Sequence, residues 1–210
     1  MTHPNLHILE HPLIQQKLYY LRSKKSNNLS FRNMLDEIGA LMVYEVTRNL
    51  PVDEREVETP LEITTGFVLS KQVTLIPILR AGLAMCDGIL KLIPQARVGH
   101  LGLYRDKDSL KPVEYYSKFP PNIKDSEVII IDPMLATGGS AAAAVDYVKR
   151  IGVTSIRFVC LVASPEGVNH LAELHSDVPI YTAALDRQLN EHGYILPGLG
   201  DAGDRIYGTE

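Results

Sequence analysis

Apolar residues recur along the chain in two different rhythms. Leu13, Ile14, Leu18 and Leu21 fall at helical spacing behind His11 and Pro12, and Pro12 suits a first turn. A longer helix is predicted next. Phe31, Leu35, Ile38, Met42, Val46 and Leu50 recur every three or four residues, with Ser30 placed to cap it and Pro51 to end it. Val57, Thr59, Leu61 and Ile63 then alternate with Glu58, Pro60, Glu62 and Thr64. That alternation reads as one half-exposed strand, and Pro60 places it at a sheet edge.

The middle of the chain is patterned differently. Residues 73–79, 98–104, 128–131 and 156–163 are short, mostly aliphatic runs, as in strands buried on both faces of a parallel sheet. Helical periods over residues 83–93, 140–151 (closed by Gly152) and 165–175 lie between several of them. This alternation predicts an α/β fold: a doubly wound, mostly parallel sheet flanked by helices. The polar stretch 105–112 reads as a hinged loop. From Asp186 onward the periodicity fades, yet five glycines fall between Gly193 and Gly208, beside Tyr194 and Tyr207. A glycine-rich stretch of varied composition indicates a specific backbone path.

At 210 residues the chain suits a single domain, with a core over about 65–185 and the N-terminal helices and residues 186–210 as accessory parts. Composition narrows the function. With 21 Lys and Arg against 25 Asp and Glu, the formal charge is −4, whereas a dedicated nucleic-acid binder carries a basic surplus. An apolar share of 45% with 22% charged residues excludes global disorder. Two cysteines, Cys86 and Cys160, make neither a disulfide scaffold nor a cysteine-rich zinc site. Residues 1–10 lack a basic-then-apolar leader, and no run approaches the ~18 apolar residues of a membrane span. A cytoplasmic protein without membrane partners is the expectation.

The sharpest chemical feature is residues 132–140, Asp-Pro-Met-Leu-Ala-Thr-Gly-Gly-Ser, behind the aliphatic run Val128 to Ile131. A buried strand ends in an acid, the chain turns, and Thr137-Gly138-Gly139-Ser140 opens a helix. Free amides there, reinforced by the helix dipole, make a site for a phosphate, and the glycines let the backbone approach it. Asp132, at the carboxyl end of its strand, can accept hydrogen bonds from sugar hydroxyls beside that phosphate. The bland alternative is a plain strand–turn–helix with an acid in the turn. Arg80-Ala81-Gly82 follows the run 73–79 and suits a pyrophosphate, because arginine offers a fixed fork of donors. Arg105, opening the polar loop, is a weaker candidate of the same kind.

Other signals fall away. There is no Gly-x-x-x-x-Gly-Lys-Ser/Thr, so this is not a P-loop nucleotidase. Gly198-Leu-Gly200-Asp-Ala-Gly203 spells a dinucleotide fingerprint, but Pro197 precedes it and no βαβ unit follows. His3, His7 and His11 are spaced for one helix face, but Pro4 and Pro12 interrupt it, so no metal site is expected. No Ser-His-Asp or Cys-His arrangement is legible.

At these residues a family becomes recognisable. Residues 132–140 resemble the phosphoribosyl-diphosphate motif of type I phosphoribosyltransferases, and nearly the whole chain is similar to their uracil branch. The likeness is carried by His11-Pro-Leu13, by residues 76–83 (Ile-Pro-Ile-Leu-Arg-Ala-Gly-Leu), by 132–140 and by Pro165-Glu-Gly167. The most specific stretch is 190–204, Asn-Glu-His-Gly-Tyr-Ile-Leu-Pro-Gly-Leu-Gly-Asp-Ala-Gly-Asp. Most type I relatives carry two adjacent acids in the ribose motif. Here Pro133 follows Asp132, which leaves one carboxylate for the ribose hydroxyls.

The resemblance implies a uracil-salvage enzyme that makes UMP from uracil and phosphoribosyl diphosphate. Asp132, Pro133, Met134, Leu135, Ala136, Thr137, Gly138, Gly139 and Ser140 would hold the 5-phosphate and ribose. Arg80 and Arg105 would contact the diphosphate, with Mg²⁺ bridging substrate oxygens. Residues 186–210 would fold back as a hood over the base, its backbone at Ile195 and at Gly200, Asp201 and Ala202 reading uracil, with Tyr194 a further substrate contact and the Asp201 side chain beside the reacting centre and the ribose. The family also implies a homo-oligomer, a dimer or larger, for which the long helix near Phe31 and the strand near Val57 offer surfaces. Some members respond to GTP as an activator. Two rival readings are weighed by the same residues. The hood sequence argues against a purine enzyme, and the acidic charge with Arg105 and Asp201 in place argues against an RNA-binding sensor.

Overall fold

The structure, a computed structural model, describes residues 3–105 and 112–209. A short strand, β1 (Leu6–Ile8), precedes α1 (Pro12–Arg22), where His11 Nδ1 accepts the Leu13 amide and Pro12 opens the helix. α2 (Asn28–Val46) buries Phe31, Leu35, Ile38, Met42 and Val46, the spacing that predicted it. Two details differ. The cap is Asn27, whose side chain accepts the Ser30 amide at 2.9 Å, so Ser30 is already inside the helix. The helix also closes at Val46, and Leu50 stays buried in the turn that follows.

The single edge strand expected near Val57 is instead two strands. β2 (Val52–Glu58) and β3 (Ile63–Leu69) form an antiparallel ribbon of their own, separate from the main sheet. Pro60 and Leu61 lie in the connection, which Thr59 closes by donating from both its amide and its hydroxyl to the Glu62 carbonyl. Nearly every residue of the ribbon is exposed. The alternation ran unbroken across the turn, so the pattern alone could not show the reversal.

After the ribbon the chain enters the main sheet with β4 (Val73–Leu79), followed by a 3₁₀ turn at Ala81–Met85 and α3 (Cys86–Leu92). The run over 98–104 divides into β5 (Arg97–Val98) and β6 (His100–Arg105), which pairs antiparallel with β7 (Pro112–Lys118). Then come β8 (Glu127–Ile131), β9 (Met134–Leu135), α4 (Gly139–Arg150), β10 (Ile156–Ala163), α5 (Pro165–Leu174) and β11 (Ile180–Leu185). β12 (Gln188–Leu189), β13 (Ile195–Leu196) and α6 (Ala202–Tyr207) make up the last segment. The order across the sheet is β1-β11-β10-β8-β4-β6-β7, with β5 beside β4 and β9 beside β10. All its pairings are parallel except β6 with β7.

Strand alternation supplies two cores. Ile129, Ile131, Val159 and Leu161 face Phe31, Leu35 and Ile38 of α2, while Val128, Ile130, Phe158 and Cys160 face Ala144, Val145 and Leu171 of α4 and α5. Each such aliphatic side chain contributes roughly 1.5–3 kcal/mol by leaving water. These strands are apolar on both faces because both faces are covered. The hinged loop expected over 105–112 lies, apart from its ends, outside the described residues, as does the Arg105 side chain. Among the described residues no helix is long and apolar enough to cross a membrane.

Candidate active site

β4 and β8 are neighbours, but the chain leaves them in opposite directions: β4 leads toward β6, and β8 leads through α4 to β10. Such a reversal opens a crevice at the carboxyl ends of the two strands, where α/β sheets bind ligands. Arg80 follows β4 and Asp132 follows β8, so both candidates stand at the mouth of that crevice.

Asp132 is half-buried, and its Oδ1 accepts the Met134 amide at 3.3 Å. Loss of water around the carboxyl is the main cause that pushes its pKa up to about 7; the Met134 bond opposes this and the charge of Asp201 adds to it. The charge of Asp201 thus reaches Asp132 across the crevice. Carboxyls shifted toward neutrality in a cleft are enriched at functional sites.

Past Asp132 the chain enters α4 through Gly138, which has φ +80° and no side chain to cap the helix. The amides of the first turn are thus free for an outside acceptor, flanked by the exposed Thr137 and Ser140. The start of α5 props this loop from behind. Ser164 accepts the Gly167 amide at 2.9 Å and donates to the Ala136 carbonyl at 2.6 Å. A Cβ on Gly167 would stand 2.3 Å from that same carbonyl oxygen, so only glycine fits. Pro133 and Leu135 turn inward: both are buried, and their carbonyls accept the amides of Leu161, Val162 and Ser164.

The last segment folds back over the crevice. A cavity of about 240 Å³ is lined by Ala81, Met134 and Ala136 from below and by Gly193, Tyr194, Ile195, Gly200, Asp201, Ala202 and Gly203 from the hood. Of the residues expected to meet the base, Tyr194, Ile195, Gly200, Asp201 and Ala202 all line it. Ala81, Gly193 and Gly203 were not foreseen. They contribute backbone and small side chains, which leave no chemical signature; adjacency to Arg80 and Tyr194 was the only cue. Asp201 also caps α6 by accepting the Asp204 amide at 3.0 Å.

The hood is tied down by polar contacts, most of them from residues the sequence did not single out. Arg22 donates to both carboxylate oxygens of Asp186, at 2.8 and 2.6 Å, and to the Gly198 carbonyl at 2.7 Å. The Gly198 amide returns a bond to Asp186 at 2.8 Å. Glu166, in the Pro165-Glu-Gly167 motif, accepts the Leu189 amide at 3.0 Å, and that bond holds its pKa below the usual range. The remaining candidates have structural places. His11 caps α1, His7 stacks on Tyr181, and burial pushes the thiols of Cys86 and Cys160 up to about 12, so neither is a ready nucleophile.

A mostly parallel sheet with an acid after one central strand, an arginine after its neighbour and an uncapped glycine-led helix following the acid defines a type I phosphoribosyltransferase. The fold is shared with an adenine phosphoribosyl transferase from Trypanosoma brucei solved with AMP, pyrophosphate and ribose-5-phosphate (TM-score 0.57, 14% identity, 87% of this chain and 84% of that one), a likeness of fold alone.

The chain belongs to the uracil phosphoribosyltransferase family, whose model, described as uracil phosphoribosyltransferase, matches residues 8–209. Curated relatives bearing that name include proteins of Lysinibacillus sphaericus, 56% identical over 98% of this chain and 99% of that one, and Lactococcus lactis subsp. cremoris, 58% identical over 97% and 98%. A solved protein of Aquifex aeolicus superposes with a TM-score of 0.92 at 36% identity, covering 98% of this chain and 99% of that one.

Proposed function

We infer that the protein transfers the phosphoribosyl group of 5-phospho-α-D-ribose 1-diphosphate to N1 of uracil, giving UMP and diphosphate in pyrimidine salvage. The carrying observation is that one cavity is lined jointly by the ribose-phosphate loop and the hood. The sheet core and the hood thus work as one domain.

The amides of Gly138, Gly139 and Ser140, with the Thr137 and Ser140 hydroxyls, receive the 5-phosphate. Asp132 accepts from the ribose hydroxyls, and Arg80 and Arg105 meet the diphosphate. As the diphosphate leaves C1, negative charge grows on it and the sugar gains oxocarbenium character, while uracil N1 attacks the opposite face. Positioning and fixed charge are what such a transition state needs, so no covalent nucleophile is required. Asp201, which lines the cavity, takes the N1 proton or orients the ribose.

Selectivity resides in the hood backbone at Ile195 and at residues 200–202. Uracil presents N3–H as donor and O4 as acceptor, and cytosine reverses both. A site matched to uracil rejects cytosine by roughly 10⁴-fold, because the wrong base leaves buried groups unpaired.

Mg²⁺ fits as an ion carried in by the substrate. Among the described residues no group of three or more His, Cys, Asp or Glu is placed to hold a metal alone, while Asp132 and Asp201 offer carboxylate oxygens beside the phosphate loop. The ion would neutralise charge on the diphosphate. A cation near Asp132 favours its ionised form.

A homo-oligomer is supported by the β2–β3 ribbon, which exposes Val52, Val57, Ile63 and Phe67 to solvent and pairs with no third strand among the described residues. The experiment is UMP formation from uracil, phosphoribosyl diphosphate and Mg²⁺, with cytosine, hypoxanthine and orotate in parallel and GTP as an added arm. Turnover with uracil alone supports the reading, and turnover with another base overturns the hood assignment. Faster turnover with GTP identifies an activator. Full turnover by Asp201→Asn would remove Asp201 from its role.

A further inference from the structure

The six-residue helix α6 touches both halves of the site. At its start Asp201 and Ala202 line the base cavity. At its end the Tyr207 hydroxyl donates to the Arg80 carbonyl at 3.1 Å, and the Arg80 guanidinium carbon lies 5.4 Å from the Tyr207 ring centroid. One side chain therefore holds Arg80 at two points, backbone and guanidinium.

The helix between these contacts is fixed in place. Ile206 is fully buried in the core beneath α2, and Arg32 donates to the Ile206 carbonyl at 2.8 Å. Arg205 donates to the carbonyls of Leu199 and Ser23, each at 2.7 Å, and its guanidinium stacks 4.3 Å from the Phe31 ring centroid. At 1.5 Å per residue α6 is about 9 Å long. It is a short strut that spans from the base cavity to Arg80.

We propose that Tyr207 is a positioning residue for Arg80 and that α6 couples the base cavity to the grip on the diphosphate. The proposal rests on the assignment of Arg80 to the diphosphate. Arg80 is exposed, and an exposed arginine side chain has many rotamers to choose from. An aromatic face beneath a guanidinium narrows that choice, so less order remains to be imposed when the anion arrives.

The test is steady-state kinetics for both substrates in Tyr207→Phe, Tyr207→Ala, Arg80→Ala and each tyrosine variant combined with Arg80→Ala, with thermal melts to verify folding. Tyr207→Ala raises KM for phosphoribosyl diphosphate about five- to tenfold and leaves kcat within about twofold. Tyr207→Phe keeps the ring and limits the rise to about two- to threefold. In the Arg80→Ala background neither tyrosine variant adds a further rise.

A rise confined to the KM of uracil, or effects that multiply with those of Arg80→Ala, would show that Tyr207 does not act through Arg80. An unchanged diphosphate KM in Arg80→Ala itself overturns the Arg80 assignment and the proposal with it. Should Tyr207→Ala not fold, Tyr207→Phe with and without Arg80→Ala separates the same outcomes.

Discussion

The phosphate loop and the hood face each other across one cavity, yet they are held by different physics. Residues 132–140 continue a strand whose five residues are all buried, and the loop is pressed from behind by Ser164 and Gly167. The hood buries few side chains, chiefly Ile195, Leu199, Ala202 and Ile206. It is otherwise hung on polar ties: Arg22, Arg32 and Glu166 hold its backbone and Asp186, and its own Arg205 reaches the Ser23 carbonyl. Chemistry common to the phosphoribosyltransferase class thus sits on the sheet itself. The part proposed to read the base is attached separately, by a small number of polar contacts.

If that contrast is right, crowding the loop should cost both substrates, whereas cutting a tie should cost the base. The largest effect is expected from Gly167→Ala, whose Cβ would stand 2.3 Å from the Ala136 carbonyl oxygen. The loop must shift, and kcat/KM should fall at least about 100-fold, because a misplacement near 1 Å is that costly. Thermal melts should register a loss of about 1–3 kcal/mol. Equal activity in the variant would break the picture of a loop fixed by its support.

Arg22→Ala comes next. It strands the Asp186 carboxylate, whose side chain is 6% exposed, while Arg22 itself keeps 23%. Breaking a fully buried pair costs about 3–5 kcal/mol, and the exposure of Arg22 moves the expectation to about 2–3 kcal/mol. With the Gly198 carbonyl also released, KM for uracil should rise about tenfold and KM for phosphoribosyl diphosphate less than about threefold. Equal rises would show that the hood does not act as a separate reader of the base.

The gentlest perturbation reads the loop alone, without substrate, through pH. Asp132 titrates near 3.8 when unfolded and near 7 when folded. Between those values the folded state holds a proton the unfolded state has lost, so this group's contribution to stability declines as pH rises from about 4 to 7. Asp132→Asn removes that slope, and its melting temperature should gain on the wild type between pH 5 and pH 8. Parallel curves would mean that the carboxyl is not held in a dry site.

The same contrast explains what could be read from sequence. β4, β8 and β10 stood out because burial on both faces leaves unbroken aliphatic runs, and the Asp132-to-Ser140 turn stood out because chemistry follows directly from such a strand. β7 is mostly exposed and β1 has three residues, so neither carried a pattern. The ribbon of β2 and β3 was mistaken for one strand because alternation survives a chain reversal. In the hood, Tyr194, Ile195, Gly200, Asp201 and Ala202 were reached through family likeness alone, since a backbone-built pocket has no periodicity. Arg22 and Asp186 escaped notice because 164 residues separate them and neither sits in a motif.

The most direct test of this division of labour is a crystal structure of the protein with UMP bound. The 5-phosphate should lie on the amides of Gly138, Gly139 and Ser140, and the uracil ring in the cavity against Ile195 and the backbone of residues 200–202. UMP bound with its base at α4, or with its ring outside the hood, would contradict that division.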